Sequence, residues 1–444
     1  MTHTLEQLEL VTGGRLVLGA GCQAQQPIAG LVSLVGGACE PNSILWKLDA
    51  GADLAVERQA WGRRCGLVTE TSPRYVPEKC WALVVEDARR ALYAWTRHVR
   101  DLRTAPVVAL VGDGRPTALA GMLEAVLRTG AAELADAPVD ADLNLCLRLT
   151  GDAEPGAAAM VVLPADQHSS LAALAQPDIA ICLCDDAKQV SGAARLNHWN
   201  AALASLPQHT LTILSGDNPL ARRAASDHAL ETRFVGRSGD CDYVAERVVC
   251  QGGKLTFRVA GQDFELSTWG RHRLLPALAA IAVGRELGQP LAEIAHRLRS
   301  WADPMMPAEA ERSGVRTIGP VPTSEYRAGL AMLREMPALG RRVVICGLND
   351  QDTAPRGRRW LGQLAVLDCG PDLLLAFGEH GSEVAHGARR AGLPADRTVV
   401  CASLAEARRY AAQAFRPGDT VLLHDPEHAW CEADNGEFTL RRVA

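Results

Sequence analysis

The chain has 444 residues, of which 48% are hydrophobic and 22% charged, proportions of an ordinary globular protein that exclude a disordered or fibrous one. At about 150 residues per domain the length implies roughly three domains. The 46 basic and 52 acidic residues leave a net charge of −6 without any cluster of like charges, which excludes nucleic acid as a partner on electrostatic grounds.

The opening residues, Met1 to Gly14, carry Glu6 and Glu9 and lack the basic, apolar and small-residue sections of a secretory signal, so export is not expected. The longest uncharged apolar stretches, 28–39 and 274–284, fall short of the ~18 residues that a membrane span requires. The 13 cysteines form no CxxC pair, which fits reduced thiols in a cytoplasmic protein better than a disulfide framework or a zinc site. Cys182 and Cys184 lie in an apolar strand-like run and read as buried thiols, with metal or redox chemistry as the alternative.

Short apolar runs at 15–18, 44–46 and 65–68 alternate with glycines and indicate a small α+β domain. It closes on a helix over 85–102, in which Ala88, Leu92, Trp95 and Val99 recur at helical spacing; the domain spans 1–103. From Val107 a buried-strand run enters Gly112-Asp113-Gly114-Arg115-Pro116-Thr117, then a helix with Leu119, Met122, Leu123, Val126 and Leu127 on one face. Strand, glycine turn and helix in that order is the geometry of a phosphate loop. Strands at 159–163, 179–184 and 210–214 predict a parallel sheet wrapped by helices. Helices over 274–287 and 291–298 lead to Pro304 and Pro307, which place the second boundary after residue 304. Beyond it, strands at 343–346, 373–377, 398–401 and 420–423 alternate with helices over 379–391 and 404–415, a doubly wound pattern over 305–444. The fold class is α/β, with a central P-loop-type parallel sheet and a C-terminal Rossmann-like domain.

A phosphate loop needs glycines whose backbone N–H groups turn to the phosphates, a lysine for the β/γ oxygens and a hydroxyl for Mg²⁺. Here the lysine position holds Arg115, the next residue is Pro116, and Asp113 adds a negative charge. A strand-to-helix turn that holds no nucleotide is the alternative reading. His272, between two arginines, and His424, beside Asp425, are candidate functional histidines, with a solvated or capping role as the simpler expectation. Asp185, Asp186 and Asp350 stand near strand ends, where carboxylates also serve as helix caps.

In its order of elements the chain resembles the Mur ligase family, the ATP-dependent ligases that extend UDP-MurNAc peptides in peptidoglycan synthesis. The opening Leu5-Glu6-Gln7-Leu8 with Thr12-Gly13-Gly14-Arg15-Leu16 resembles the D-alanyl-D-alanine-adding branch. Residues 112–117 lie where the family has TGxxGKTT. Ile213-Leu214-Ser215-Gly216-Asp217-Asn218-Pro219 is similar to its LNxDDP strand end, and Gly270-Arg271-His272 with 279–283 to its GxHNxxNxxAAxA segment. Pro322-Thr323-Ser324 falls at NANPxS, and 418–423 resembles the strand before its KGS turn.

The resemblance implies a nucleotide site at Gly112, Asp113, Gly114, Arg115, Thr117, His272 and Arg273, with ATP and Mg²⁺ as cofactors if the chain is active. It also implies departures. Leu163-Pro164 stands where the family has a metal-binding glutamate, and Gln189 is nearest to its histidine. No lysine between Gln189 and Pro207 can be the carbamylated metal bridge. Arg273 and Pro276 take two asparagine positions, Gly319-Pro320-Val321 an asparagine-bearing turn, Val35-Gly36-Gly37 the uridine-site triplet, and His424-Asp425-Pro426 the KGS turn. The expectation is a catalytically impaired homologue with a binding or regulatory role in cell-wall synthesis, its partners a UDP-MurNAc peptide or cell-wall enzymes; no catalytic or metal-ligating residue is assigned. Two alternatives remain. One is an active acid-amino-acid ligase using Arg115 and Thr117 for phosphates and Asp166, Asp185 or Asp186 for Mg²⁺. The other is a sugar-nucleotide or peptide binder.

Overall fold

The computed structural model describes residues 3–28, 32–34, 43–48, 54–63, 66–112, 117–128, 141–151, 158–164, 168–183, 192–303, 305, 308–310, 314–321, 323–337, 339–347 and 355–424. Three sheets with parallel pairing follow one another along the chain; one buried apolar cluster runs from the first to the second, and the third is packed by clusters of its own.

In the first sheet the spatial order is Arg15–Leu18, Trp81–Val84, Gly66–Thr69, Ile44–Trp46 and Val32–Leu34. Only the first pairing is antiparallel. This part is therefore more α/β in character than the α+β arrangement expected; its strands are three or four residues long, too short to display the buried run that marks parallel strands in a sequence. Helix Ala88–Leu102 follows. Asp87 caps it by accepting from the Arg90 N–H, and Ala88, Leu92, Trp95 and Val99 form its buried face.

The second sheet is wholly parallel, in the order Tyr243–Val244, Thr232–Gly236, Leu211–Ser215, Ile179–Cys182, Val107–Val111 and Ala159–Leu163. All five residues of Val107–Val111 are buried, because helices cover both faces: Ala88–Leu102, Ala141–Thr150 and His168–Ala175 on one, Thr117–Leu127, Leu274–Glu286 and Leu291–Arg299 on the other. The stretch after residue 245, to which the sequence analysis assigns no elements, forms an antiparallel three-stranded sheet of Glu246–Gln251, Lys254–Val259 and Gln262–Ser267. Leu255, Phe257, Val259, Phe264 and Leu266 are its buried side, with the Phe257 and Phe264 rings stacked at 5.4 Å.

The third sheet runs Ala308–Ala310, Val315–Val321, Thr420–His424, Arg342–Gly347, Leu373–Phe377 and Thr398–Cys401, parallel except for its first pairing. Its central strands are buried apolar runs, as expected. Helices Pro355–Leu364 and Gly381–Arg390 touch through two glycines: a Cβ on Gly362 would lie 1.9 Å from the Val384 carbonyl oxygen, and one on Gly387 1.9 Å from that of Arg359. No helix among the described residues is long and apolar enough to cross a membrane, and the described cysteines are free thiols.

Candidate functional site

Strand Val107–Val111 and helix Thr117–Leu127 bracket the predicted phosphate loop. Gly112 closes the strand with φ +149°, its N–H donating to the Leu163 carbonyl at 3.2 Å, and no atom lies within 4 Å of where a Cβ would be. This backbone conformation and open space suit a loop that must come close to a ligand. Asp113, Gly114, Arg115 and Pro116, and the side chain of Thr117, lie outside the described residues, as do Asp166, Asp185, Asp186 and Asp350.

Asp217, just past strand Leu211–Ser215, two places along the sheet from Val107–Val111, accepts from the backbone N–H groups of Arg237 (2.8 Å) and Ser238 (2.9 Å) and from the Ser238 hydroxyl (2.8 Å). Burial pushes its carboxyl up, but these hydrogen bonds outweigh it and hold the pKa below the ordinary value. Its oxygens thus fasten the turn after strand Thr232–Gly236. Asn218 caps the next helix by accepting from the Leu220 N–H, with Pro219 starting that helix.

His272 and Arg273 share the short 3₁₀ turn Arg271–Arg273, which leads directly into helix Leu274–Glu286. That helix packs against Thr117–Leu127, so both halves of the predicted nucleotide site are carried by neighbouring helices. The His272 ring folds back over Gly270, whose φ is +110°; a Cβ there would lie 2.4 Å from Nδ1. Both ring nitrogens are buried and make no hydrogen bond among the described residues. Burial first, and the Arg273 charge second, lower the His272 pKa to about 3, so the imidazole is neutral.

Arg273, only 3% exposed, turns its guanidinium elsewhere. Nε and Nη2 donate to the two oxygens of Asp303 at 2.9 and 2.8 Å, and Nη1 and Nη2 lie 3.4 Å from Glu325 Oε2. Thr268 Oγ1 and the Met305 N–H also donate to Asp303. Burial alone would raise the Asp303 pKa, but the Arg273 bonds and charge hold it below the usual range. Glu325 precedes helix Tyr326–Glu335, which packs in the core of the third sheet. The network therefore ties the helix after the second sheet to the helix that opens the third.

His424 ends strand Thr420–His424 and is fully buried. Nε2 lies 3.2 Å from Thr323 Oγ1, Nδ1 3.5 Å from Cys346 Sγ, and the ring meets Tyr326 edge-on at 4.7 Å. Burial lowers its pKa to about 4. Neither histidine is thus solvated or a cap, contrary to the simpler expectation; the reason for His424 is that three strand ends and a helix close over it. Sequence reasoning also found no Cys-His arrangement, yet Cys346 and His424, 78 residues apart, meet because their strands pair in register. Their wholly buried contact is one of packing. Asp303 and Glu325 were missed too; an unpaired arginine in an apolar helix start is the one signal that a carboxylate must lie opposite. Among the described residues, no group of three His, Cys, Asp or Glu is placed to hold a metal.

No family model matches the chain. The UDP-N-acetylmuramate–L-alanine ligase of Anaeromyxobacter dehalogenans strain 2CP-1 is 29% identical over 299 residues, 61% of this chain and 63% of that ligase; the chain thus spans less than two thirds of that relative's length. Among solved structures, MurF of Acinetobacter baumannii superposes with a TM-score of 0.74 at 18% identity, over 98% of both chains. MurF of Thermotoga maritima in complex with ADP gives 0.68 at 15% identity, over 89% of this chain and 94% of that one. The chain is a mixed α/β protein with the Mur ligase fold and is related in sequence to Mur ligases. The superposition on solved MurF structures covers 98% of the chain in one case and 89% in the other, so the likeness of fold extends across all three sheets.

Proposed function

We propose that this chain is a catalytically impaired Mur-ligase homologue that acts by binding in peptidoglycan synthesis, in the cytoplasm. The observation that carries this is the Arg273 network. At a position where the family has an asparagine, this chain has an arginine whose donors are turned to Asp303 and Glu325. The sequence adds Arg115 and Pro116 in the phosphate loop and no lysine between Gln189 and Pro207. Each lost charge-stabilising group commonly costs about 3–4 kcal/mol of transition-state stabilisation, so their joint loss removes most acyl-phosphate chemistry. The units of this protein divide after residues 103 and 304, and a UDP-MurNAc peptide or a cell-wall enzyme is the partner.

The described residues fit a nucleotide in part. Gly112 offers an open, positive-φ backbone after a strand, and His272 offers two buried nitrogens without partners. Bound there, ATP would supply the phosphoryl group for carboxylate activation. These features favour a second reading, an active ligase that joins D-Ala-D-Ala or an amino acid to a UDP-MurNAc peptide with Arg115 and Thr117 at the phosphates and Mg²⁺ as the metal. The ADP bound to the Thermotoga maritima MurF supports it.

Calorimetric titration of the full chain with MgATP separates the readings. The first expects no heat up to millimolar MgATP and no release of ADP and phosphate. Binding that is lost in Arg115→Ala, together with ADP release in the presence of a UDP-MurNAc peptide, would establish the second.

A further inference from the structure

A cavity of about 380 Å³ lies beside the second sheet, away from the residues discussed above. Helix Ala88–Leu102 forms one side; helices Ala141–Thr150 and His168–Ala175, both packed against it, form the other. Its volume is within the range of small-ligand pockets. Ala94, Leu171 and Leu174 supply apolar wall, Leu171 and Leu174 themselves being buried.

The polar groups are arranged unequally. The one carboxylate among the described lining residues, Asp142, is already satisfied: Arg89 Nη1 donates to Oδ2 at 2.9 Å, and the Tyr93 hydroxyl donates to the same oxygen. Burial and then that bond push the Tyr93 pKa up to about 12, so the phenol keeps its proton. Arg90 and Arg97, in contrast, are exposed, line the cavity, and have no side-chain partner among the described residues. Seven residues apart on one helix, they stand two turns apart on the same face, about 10 Å along the axis. An arginine fork matches a carboxylate or phosphate bidentately. Two such forks with an apolar wall between them suit a molecule of matching shape.

We infer that this cavity is a binding site for a small organic dianion, an apolar body carrying an anionic group at each end, held by Arg90 and Arg97 over Ala94, Leu171 and Leu174. The site uses none of the residues of the nucleotide reading and stands or falls separately from it.

The test is a fluorescence titration of the full chain with naphthalene-2,6-dicarboxylate, a rigid apolar dianion. Saturable binding by the unmodified chain is expected. Arg90→Gln and Arg97→Gln should each weaken it about tenfold or more, the worth of one lost charge-assisted pair. Both arginines are exposed and have no side-chain partner among the described residues, so the variants should unfold at the same temperature as the parent. Ala94→Trp, which fills the cavity and keeps both arginines, should abolish binding, and the neutral dimethyl ester should bind more weakly and equally well to the parent and the double variant. Equal affinity of the parent and Arg90→Gln/Arg97→Gln for the dianion, or no binding by the parent at millimolar probe, would overturn the assignment.

Discussion

His424 shows at the residue scale how burial alone sets a charge state. Its pKa of about 4 lies below the ordinary 6.5, so the folded chain favours the neutral ring. The corresponding stability is complete above pH 6.5 and is lost as the pH falls towards 4, because the unfolded chain takes up the proton first. The shift corresponds to about 3 kcal/mol. Urea unfolding at a series of pH values should therefore show the parent losing about that much more than His424→Phe across this window; parallel profiles would exclude the role given to the ring. Asp217 presents the opposite case, a carboxylate held ionised by donors. Asp217→Ala leaves the N–H groups of Arg237 and Ser238 without their acceptor and should cost about 1–3 kcal/mol, read as a lowered unfolding temperature.

At the scale of elements, two kinds of junction differ in what they tolerate. The junction between helix Leu274–Glu286 and helix Tyr326–Glu335 is ionic and buried. Arg273→Met strands the carboxylates of Asp303 and Glu325 in the interior and should destabilise the chain by about 3–5 kcal/mol, whereas adding Asp303→Asn and Glu325→Gln to it should restore a good part of that loss. Thermal unfolding of the single and triple variants checks both. The junction of helices Pro355–Leu364 and Gly381–Arg390 is steric. Gly362→Ala would place a Cβ 1.9 Å from a backbone oxygen, so the helices must separate, at about 1–3 kcal/mol. Gly62→Ala, with no atom within 4 Å of the new Cβ, should leave the unfolding temperature unchanged or slightly raised; a similar loss in both variants would show that helix contact is not the cause.

For the whole molecule, three sheets, the first two sharing one apolar cluster and the third with its own, keep the Mur ligase fold at 18% identity to a solved MurF. Cores tolerate wide exchange of apolar residues when volume and pattern are kept. A cleft has no such freedom, since its chemistry depends on single groups. This is why the fold can persist at such low identity, while on the proposed reading the groups of a cleft are replaced one by one. The MgATP titration belongs to this scale, because nucleotide binding would draw on the loop after Gly112 and the turn Arg271–Arg273, far apart in the chain and carried by neighbouring helices.

Much of the fold was legible in the sequence. Strands such as Ala159–Leu163 and Leu373–Phe377 begin and end where the apolar runs do, because a strand buried on both faces must be apolar throughout. The helical spacing of Ala88, Leu92, Trp95 and Val99 likewise marked a buried helix face. The three-stranded sheet at 246–267 is also marked in the sequence, by the alternation of Leu255, Phe257 and Val259 between glycine turns. The partners of Arg273, the burial of His424 and the cavity lined by Arg90 and Arg97 could not be read this way. Local pattern reports only how each segment meets its own core. Which carboxylate faces an arginine 30 or 52 residues away, and which helix faces enclose a space, is decided by how separately formed segments pack, and only the tertiary structure carries that information.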